Sequence, residues 1–307
     1  MTSLSTLLTG GKAAIARILA RLEATPDDAE IVALLDAAYV APIAQVIGLT
    51  GPPGVGKSTL VGALIAAYRQ AGKSVAVIAI DPSSKRSGGA LLGDRTRLRT
   101  DPDDQGIFVR SMAARDQLGG LAEITFASMV LMRALYDVVL IETVGVGQSE
   151  TDIALAADTI VFCVQPGSGD SLQFMKAGIV EIPDIVAVTK GDLGRPAIRA
   201  RADVKGALGL NEGRAEAGAW SVPVLIVSAN AAEGISALTD AVAAHAAWLA
   251  EAGRGVAKRQ AQAAAWVEAA VKERWGREGL KRVSPGLVTA RTAPSPFKAL
   301  AEIARQL

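Results

Sequence analysis

The sequence predicts an α/β protein with a mostly parallel central sheet of about seven strands flanked by helices, and three observations support this fold class. Short apolar runs alternate with helical stretches between residues 44 and 250. Several of these runs are apolar at every position, which is typical of strands buried on both faces of a parallel sheet. A glycine-rich motif also joins the first predicted strand to a predicted helix.

Composition and charge narrow the class of protein further. Half of the 307 residues are hydrophobic and 21% are charged, which excludes a disordered chain. The net charge of +1 provides no bulk attraction to nucleic acid or to an anionic membrane. A single cysteine and a single histidine exclude an intrachain disulfide and argue against a Cys/His zinc or nickel site. No apolar run approaches ~20 residues and no signal pattern opens the chain, so we expect a cytoplasmic protein.

Two amphipathic helices are predicted before the first strand, at residues 12–22 and 27–39. Thr25-Pro26-Asp27-Asp28 supplies a capping residue, a proline and first-turn acids for the second helix. Residues 1–43 are therefore predicted to be an N-terminal helical extension. The strands of the main domain, residues 44–250, are predicted at 45–50, 74–80, 107–110, 138–141, 159–164, 185–189 and 222–227. Their spacing does not determine their order in the sheet.

The last part of the chain, residues 251–307, is predicted to be helical. Gly253 and Gly255 predict a helix end, and they are followed by a long helix at 257–275 and a short helix at 296–306. This segment is too small to hold a hydrophobic core of its own. It therefore either packs back on the main domain or forms an arm that meets a second subunit.

The motif Gly51-Pro52-Pro53-Gly54-Val55-Gly56-Lys57-Ser58 matches G-x-x-x-x-G-K-[ST] and lies between a predicted strand and a predicted helix. It predicts a P-loop NTPase, because its backbone N–H groups and the helix N-terminus bind phosphates. Lys57 reaches the β- and γ-phosphates, and the Ser58 hydroxyl ligates Mg²⁺. The nucleotide-binding residues predicted here are Gly51, Pro53, Gly54, Val55, Gly56, Lys57, Ser58 and Thr59.

Acidic residues follow two of the other predicted strands. Asp81 ends the second strand, Asp94 lies in the loop after it, and Glu142 ends the fourth apolar run. Ligands of parallel α/β sheets bind beyond the carboxyl ends of the strands, so these acids are expected at one Mg²⁺–phosphate site together with Ser58. For Asp81 a helix-capping role is a competing interpretation, because Pro82 and Ser83 follow it.

Three segments resemble the SIMIBI-class P-loop GTPases of the MeaB/ArgK type. They are Asp81-Pro82-Ser83-Ser84, the stretch from Gly88-Gly89 to Leu92-Gly93-Asp94-Arg95-Thr96-Arg97, and Glu142-Thr143-Val144-Gly145-Val146-Gly147-Gln148-Ser149-Glu150. Members of this branch are G-protein chaperones of adenosylcobalamin-dependent acyl-CoA mutases such as methylmalonyl-CoA mutase. The resemblance covers nearly the whole chain, and it implies that the C-terminal helices serve homodimerisation.

The resemblance also implies roles for individual residues. Asp94 falls in the first switch region, residues 145–150 form the second, and residues 167–176 form a third that relays nucleotide state to the mutase. A loop followed by a helix start is the alternative interpretation of residues 167–176. The expected catalytic residues are Lys57, Asp94, Glu142 and Gln148, with Gln148 as a water-positioning residue or an ordinary loop amide. Lys85, Arg86, Arg95 and Arg97 are unassigned candidates for stabilising transition-state charge.

Base recognition is where the sequence departs from the pattern of the family. The family usually carries N-K-x-D, whereas this chain has Thr189-Lys190-Gly191-Asp192. Asp192 accepts from the guanine N1–H and exocyclic amine, and Lys190 lies along the base. Thr189 is shorter than Asn, and this weakens the case for guanine selectivity. Ser228-Ala229-Asn230 resembles the fifth motif, whose backbone contacts guanine O6.

The sequence thus predicts a slow GTPase that binds Mg²⁺ and gates adenosylcobalamin loading while protecting or reactivating its mutase. The expected partners are the acyl-CoA mutase, its adenosyltransferase and a second copy of the chain, without nucleic acid or membrane. Two alternatives stay open at this point. One is a P-loop ATPase or kinase linked to amino-acid transport, which Thr189 favours, and the other is a metallochaperone GTPase.

Overall fold

A computed structural model describes residues 2–82, 98, 100–114, 123–143, 153–167, 183–212, 218–283 and 294–307. Within these residues lie eight α-helices. They are α1 (Leu4–Ala24), α2 (Ala29–Val40), α3 (Lys57–Gln70), α4 (Glu123–Leu135), α5 (Arg195–Glu212), α6 (Ile235–Ala250), α7 (Arg254–Arg282) and α8 (Pro296–Ala304). Short 3₁₀ turns occur at Ile153–Leu155, Gly191–Leu193 and Glu251–Gly253.

The described strands form one sheet in which every pairing is parallel. They are β1 (Gln45–Thr50), β2 (Val75–Pro82), β3 (Ile107–Ala114), β4 (Val138–Glu142), β5 (Thr159–Val164), β6 (Ile185–Val188) and β7 (Val224–Ile226). Their order is β3-β2-β4-β1-β5-β6-β7. The seven predicted strands are confirmed, and the fold class with them. Because β1 lies between β4 and β5, the phosphate-binding motif emerges at the centre of the sheet.

Helices cover both faces of this sheet, and the alternation of side chains along each strand divides the core between them. Val46 of β1 belongs to a cluster with α1, α2, α4, α7 and α8, whereas its neighbour Ile47 packs with α3 and α6 on the opposite face. Helix α5 covers the remaining edge, where Ala197 and Val204 contact strands β5 and β6. Among the described helices, none combines the length and apolarity that a membrane span requires.

The structure corrects the predicted boundaries of the first two helices. Helix α1 begins at Leu4, where Ser3 and Thr6 form a reciprocal capping box. Gly11 has non-helical backbone angles and divides α1 into two segments, of which the second corresponds to the helix predicted at residues 12–22, and the first was not predicted. Helix α2 is capped by Asp28, whose carboxylate accepts from the N–H groups of Glu30 and Ile31. The predicted cap, Thr25, instead ends α1 by donating its N–H to the carbonyl of Arg21.

The C-terminal helices pack back on the main fold within the chain. Trp266, Val267 and Phe297 are buried in the same cluster as residues of α1, α2 and the sheet. Gly253 does precede the long helix as predicted, with a left-handed φ of 70°, but Gly255 lies inside α7 and does not end a helix. The domain boundaries at 43/44 and 250/251 stay a prediction, as does a contact with a second subunit.

Candidate nucleotide-binding site

The loop between β1 and α3 is held in a shape that requires glycine. Gly51, Gly54 and Gly56 have φ values of 135°, 74° and 99°, a region that residues with a side chain rarely adopt. A Cβ on Gly51 would lie 2.2 Å from the carbonyl oxygen of Cys163 in β5. Gly56 caps α3 without a side-chain hydrogen bond, so the helix N-terminus stays available to an anion.

The side chain of Lys57 folds over this loop. Its Nζ donates to the carbonyls of Gly51 at 2.7 Å and Pro52 at 3.0 Å, and only 6% of the residue is exposed. The ammonium group is therefore held within the phosphate loop by short contacts to its carbonyls. A phosphate in the loop offers oxygens that bear full negative charge, and hydrogen bonds to such groups are stronger than those to neutral carbonyls.

The structure brings Ser58, in the first turn of α3, together with Glu142, at the end of β4. The hydroxyl of Ser58 donates to Oε1 of Glu142 at 2.6 Å, and Glu142 is 4% exposed. Glu142 ends β4 directly opposite Leu49 of β1, so the pairing register places its carboxylate beside the phosphate loop. A hydroxyl and a carboxylate are hard oxygen donors of the kind that Mg²⁺ prefers beside a phosphate. These two residues therefore fit the metal that the sequence predicts.

The remaining predicted metal and catalytic residues are less fully described. The backbone of Asp81 lies at the carboxyl end of β2, which pairs with β4 so that Ala79 opposes Glu142. This is the edge of the sheet that carries the phosphate loop. Asp94, Gln148 and the cations Lys85, Arg86, Arg95 and Arg97 lie outside the described residues. Of the predicted third switch, residues 167–176, only Gly167 lies within the described residues.

Thr189 contacts the phosphate loop rather than facing outward. Its hydroxyl lies 2.6 Å from the carbonyl oxygen of Val55 and 2.9 Å from that of Val164, so its one proton is shared between these two acceptors. Thr189 is 4% exposed. The residue thus connects the phosphate loop to β5, and its side chain is occupied by the protein backbone.

Lys190 and Asp192 are oriented by neighbours from other loops. Lys190 has a left-handed φ of 54°, and its Nζ donates to the carbonyl of Gly54 at 3.2 Å and to the side-chain oxygen of Gln165. Asp192 accepts from the hydroxyl of Ser228 at 2.7 Å. This contact joins the two segments predicted to recognise the base.

The predicted base-binding segments line one opening of about 380 Å³ with the phosphate loop and the start of α3. Its walls are Val55, Gly56, Thr59, Leu60, Thr189, Lys190, Asp192, Val227, Ala229 and Asn230. Gly191 brings the walls together, because a Cβ there would lie 2.7 Å from Ile226. Sequence reasoning missed Gln165, which orients Lys190. Its position directly after β5, at the ligand-binding end of a strand, is the signal that identifies it.

The single cysteine lies beneath this site as a packing residue. Cys163 is fully buried in β5, and its carbonyl contacts the phosphate loop at Gly51. Burial raises the pKa of its thiol to about 12. The side chain is therefore a neutral thiol at physiological pH, and it supports the loop without contributing charge.

A central parallel strand that leads into a glycine-rich loop and a helix, with acids at neighbouring strand ends, defines this protein as a P-loop NTPase. The sequence model of the family described as "Methylmalonyl Co-A mutase-associated GTPase MeaB" matches residues 15–281. The chain belongs to the MeaB family. It is accordingly a GTPase, which hydrolyses GTP to GDP and phosphate.

Individual proteins are similar to this chain over most of its length. The GTPase ArgK of Escherichia coli is 36% identical over 230 residues, which cover 74% of this chain and 69% of the relative. The mitochondrial methylmalonic aciduria type A homolog of Mus musculus is 39% identical over 235 residues, covering 76% of this chain and 56% of the mouse protein. A solved LAO/AO transport system kinase has a TM-score of 0.70 and 26% identity, with coverage of 98% of this chain and 95% of that structure.

Proposed function

We propose that this GTPase is a chaperone of an adenosylcobalamin-dependent acyl-CoA mutase, and that it gates cofactor loading and protects or reactivates that enzyme. The observation that carries this proposal is the match of residues 15–281 to a family described as mutase-associated. The mouse relative named for methylmalonic aciduria supports the same metabolic context. The site geometry is consistent with such a role, because the opening is lined by residues that follow β1, β6 and β7, so a nucleotide bound there would contact segments from three strands of one sheet.

In the proposed reaction, Lys57 exchanges the carbonyls of Gly51 and Pro52 for the β- and γ-phosphate oxygens of GTP. The N–H groups of the loop and the N-terminus of α3 bind the remaining phosphate charge. The hydroxyl of Ser58 would hold Mg²⁺ as a ligand, and Glu142 would hold the ion directly or through water. When bound, the ion neutralises charge that develops on the phosphates. Asp81 and Asp94 stay proposed members of this metal site.

Guanine selectivity is proposed to depend on Asp192. Its contact with Ser228 fixes one carboxylate oxygen, which leaves the carboxylate oriented to accept from the two donors on the guanine edge. Adenine lacks that donor pair. Thr189 does not take part in base recognition in this proposal, because its hydroxyl is engaged with Val55 and Val164. The difference between Thr and Asn therefore concerns the support of the phosphate loop.

Hydrolysis also requires a positioned water molecule and stabilisation of transition-state charge. We keep Gln148 as the proposed water-positioning residue and expect slow intrinsic turnover that a partner accelerates. Homodimerisation through residues 251–307, a cytoplasmic location and contact with the adenosyltransferase complete the proposal. Deleting residues 251–307 would not test the dimer cleanly, because these helices are part of the core. Light scattering of the full chain with each nucleotide tests the dimer instead.

The deciding experiment is capture of partners by the tagged full-length protein with Mg²⁺ and one of three nucleotides. These are GDP, a non-hydrolysable GTP analogue and the matching ATP analogue. We expect an acyl-CoA mutase to be identified by mass spectrometry with guanine nucleotides and to be absent with the ATP analogue. Capture that follows the ATP analogue would favour the transport-linked ATPase or kinase, and capture of a nickel enzyme would favour the metallochaperone. Absence of a mutase from every sample would contradict the proposal.

A further inference from the structure

The outer face of α5 carries side chains that do not contribute to the packing of the core. The buried face of this helix, with Ala197, Val204 and Leu208, packs on β5 and β6. The opposite face presents Arg195, Ile198, Arg199 and Lys205, which recur at helical spacing, and Leu193 lies just before it in the 3₁₀ turn. We call these five residues the α5 surface.

Two large aliphatic side chains on this surface are exposed. Leu193 is 51% exposed and Ile198 is 55% exposed, and they are five residues apart. Large hydrophobic residues with such exposure are few in the described chain, and the others are Leu8, Val40, Ile43 and Val256. Neither side chain belongs to a described hydrophobic cluster, so both are available for apolar contact with a partner protein.

The charges around these aliphatic residues are unbalanced. Arg195, Arg199, Arg201 and Lys205 are exposed on α5 and form no ion pair with any described residue, while Asp203 is the acid with a described side chain on this helix. The pairs Arg195–Arg199 and Arg201–Lys205 place like charges four residues apart, a spacing that destabilises a helix. The whole chain has a net charge of only +1, so this is a local excess.

We propose that the α5 surface docks an acidic protein surface that has aliphatic residues at its centre. The arginines complement the acids, and Leu193 and Ile198 supply the apolar contact that interface cores require. A nucleic acid backbone would pair with the cations but would leave both aliphatic side chains without an apolar partner. The inference rests on the proposed function in one respect, namely that the acyl-CoA mutase is the protein expected to carry this acidic surface.

The position of the surface connects docking to the nucleotide. Leu193 directly follows Asp192, the proposed guanine-binding residue, within the same turn Gly191–Leu193. A protein bound on the α5 surface would therefore contact the turn that holds the base. We expect the affinity for the partner to differ between GDP and the GTP analogue, and by linkage the partner changes nucleotide affinity by the same factor.

The test is the affinity of the purified mutase holoenzyme for the full-length protein, measured by biolayer interferometry with each nucleotide at two salt concentrations. The variant Arg195→Glu/Arg199→Glu should bind the mutase at least about tenfold more weakly, since arginines are enriched among the residues that dominate interface affinity. Ile198→Ser should weaken binding by several-fold with an unchanged salt dependence. The matched control Arg17→Glu/Lys298→Glu makes the same change in net charge on exposed positions of α1 and α8 and should bind within twofold of wild type.

The outcomes separate the surface from the proposed function. Intrinsic GTP hydrolysis should be unchanged in every variant, which shows that the site is folded. If the mutase binds wild type and Arg195→Glu/Arg199→Glu equally well, the α5 surface is wrong and the proposed function stands. If the mutase binds no form of the protein, both fail. If the variant instead loses binding to duplex DNA or to anionic vesicles and keeps its mutase affinity, the surface serves a polyanion and the proposal is overturned.

Discussion

Both ends of the sheet carry polar side chains that are mostly withdrawn from solvent, but these side chains have different roles at the two ends. At the carboxyl end, Lys57 and Thr189 donate to backbone carbonyls of the phosphate loop, and Thr189 lines an opening of about 380 Å³. At the amino end, Asp158 and Asp184 precede β5 and β6, and both carboxylates accept hydrogen bonds from side chains of α7. Buried polar residues therefore mark a ligand site at one end and an internal clamp at the other.

The clamp at the amino end is built by one face of α7. Arg259 donates to both oxygens of Asp158 at 2.8 Å, and Asp158 also accepts from the N–H of Val46 at 2.9 Å. Gln262 donates to the carbonyls of Ala154 and Ala157, both at 2.8 Å. The partners lie about a hundred residues apart in the chain. These contacts show why the C-terminal helices are integral to the fold.

The single histidine belongs to the same end of the sheet. His245 is fully buried, with Nδ1 2.8 Å from the hydroxyl of Thr159 and Nε2 3.3 Å from Asp184. The 3.3 Å approach to Asp184 is an ion-pair distance without hydrogen-bond alignment. Its ring stacks on Trp248 with centroids 5.5 Å apart. The arrangement resembles a catalytic hydroxyl–His–Asp relay, but its complete burial favours a structural role.

The largest expected effect is at the carboxyl end. Lys57→Ala should lower the affinity for Mg-GDP by about 10²–10⁴-fold, because two hydrogen bonds to charged phosphate are lost at about 1.5–3 kcal/mol each. Isothermal titration calorimetry measures this, and urea unfolding should show that the stability changes little. An unchanged GDP affinity would show that the phosphate site is assigned incorrectly.

Arg259→Ala should have the opposite effect to Lys57→Ala, because it should lower the stability of the protein and leave its GDP affinity unchanged. It leaves the Asp158 carboxylate, whose side chain is 5% exposed, without its cation, and should lower the free energy of unfolding by about 3 kcal/mol. The value lies at the low end for a buried pair because the guanidinium is 28% exposed. Urea denaturation measures it, with Lys281→Ala on the same helix as an exposed control. GDP affinity of the folded protein should be unchanged, and a matching loss of affinity would mean that the two ends are coupled.

Thr189→Val should have a smaller effect, and it should change nucleotide binding at the carboxyl end of the sheet as well as stability. The variant removes the donor to Val55 and Val164, so stability should fall by about 1 kcal/mol and GDP affinity should also decrease. Thr189→Ser keeps the hydroxyl and serves as the matched control. Equal calorimetric affinities for all three proteins would show that Thr189 does not support the phosphate loop.

The smallest effect is a pH dependence at the amino end. Burial lowers the pKa of His245 below its ordinary value of 6.5, although Asp184 opposes this shift. Because the pKa of His245 is lower in the folded than in the unfolded protein, the unfolded chain binds the proton at a higher pH. The free energy of unfolding therefore decreases as the pH falls from 6.5 toward the folded pKa. Urea unfolding between pH 5 and 8 measures this, and NMR reports the titration of the single imidazole. Stability that increases below pH 6.5 would contradict the assignment, and His245→Asn should remove this part of the slope.

Local patterns predicted the strands well, since all seven were expected. The structure also places Ser58 within hydrogen-bond distance of Glu142, in agreement with the strand-end argument, while the roles of Lys57, Ser58 and Glu142 in binding phosphate and metal stay a prediction. Helix ends were predicted less well, because the capping box at Ser3 and the cap at Asp28 depend on side-chain geometry. Gln165 was missed since it acts through Lys190, a residue 25 positions later.

The sequence by itself determined which segments become buried strands and predicted where phosphate would bind, because both patterns are encoded within windows of about ten residues. Only the tertiary structure decided the strand order, the packing of α7 against the amino end, and the structural roles of Asp158, Asp184 and His245. It also decided that Thr189 supports the phosphate loop. Each of these depends on contacts between residues far apart in the chain, and such contacts leave no periodicity that a single sequence reveals.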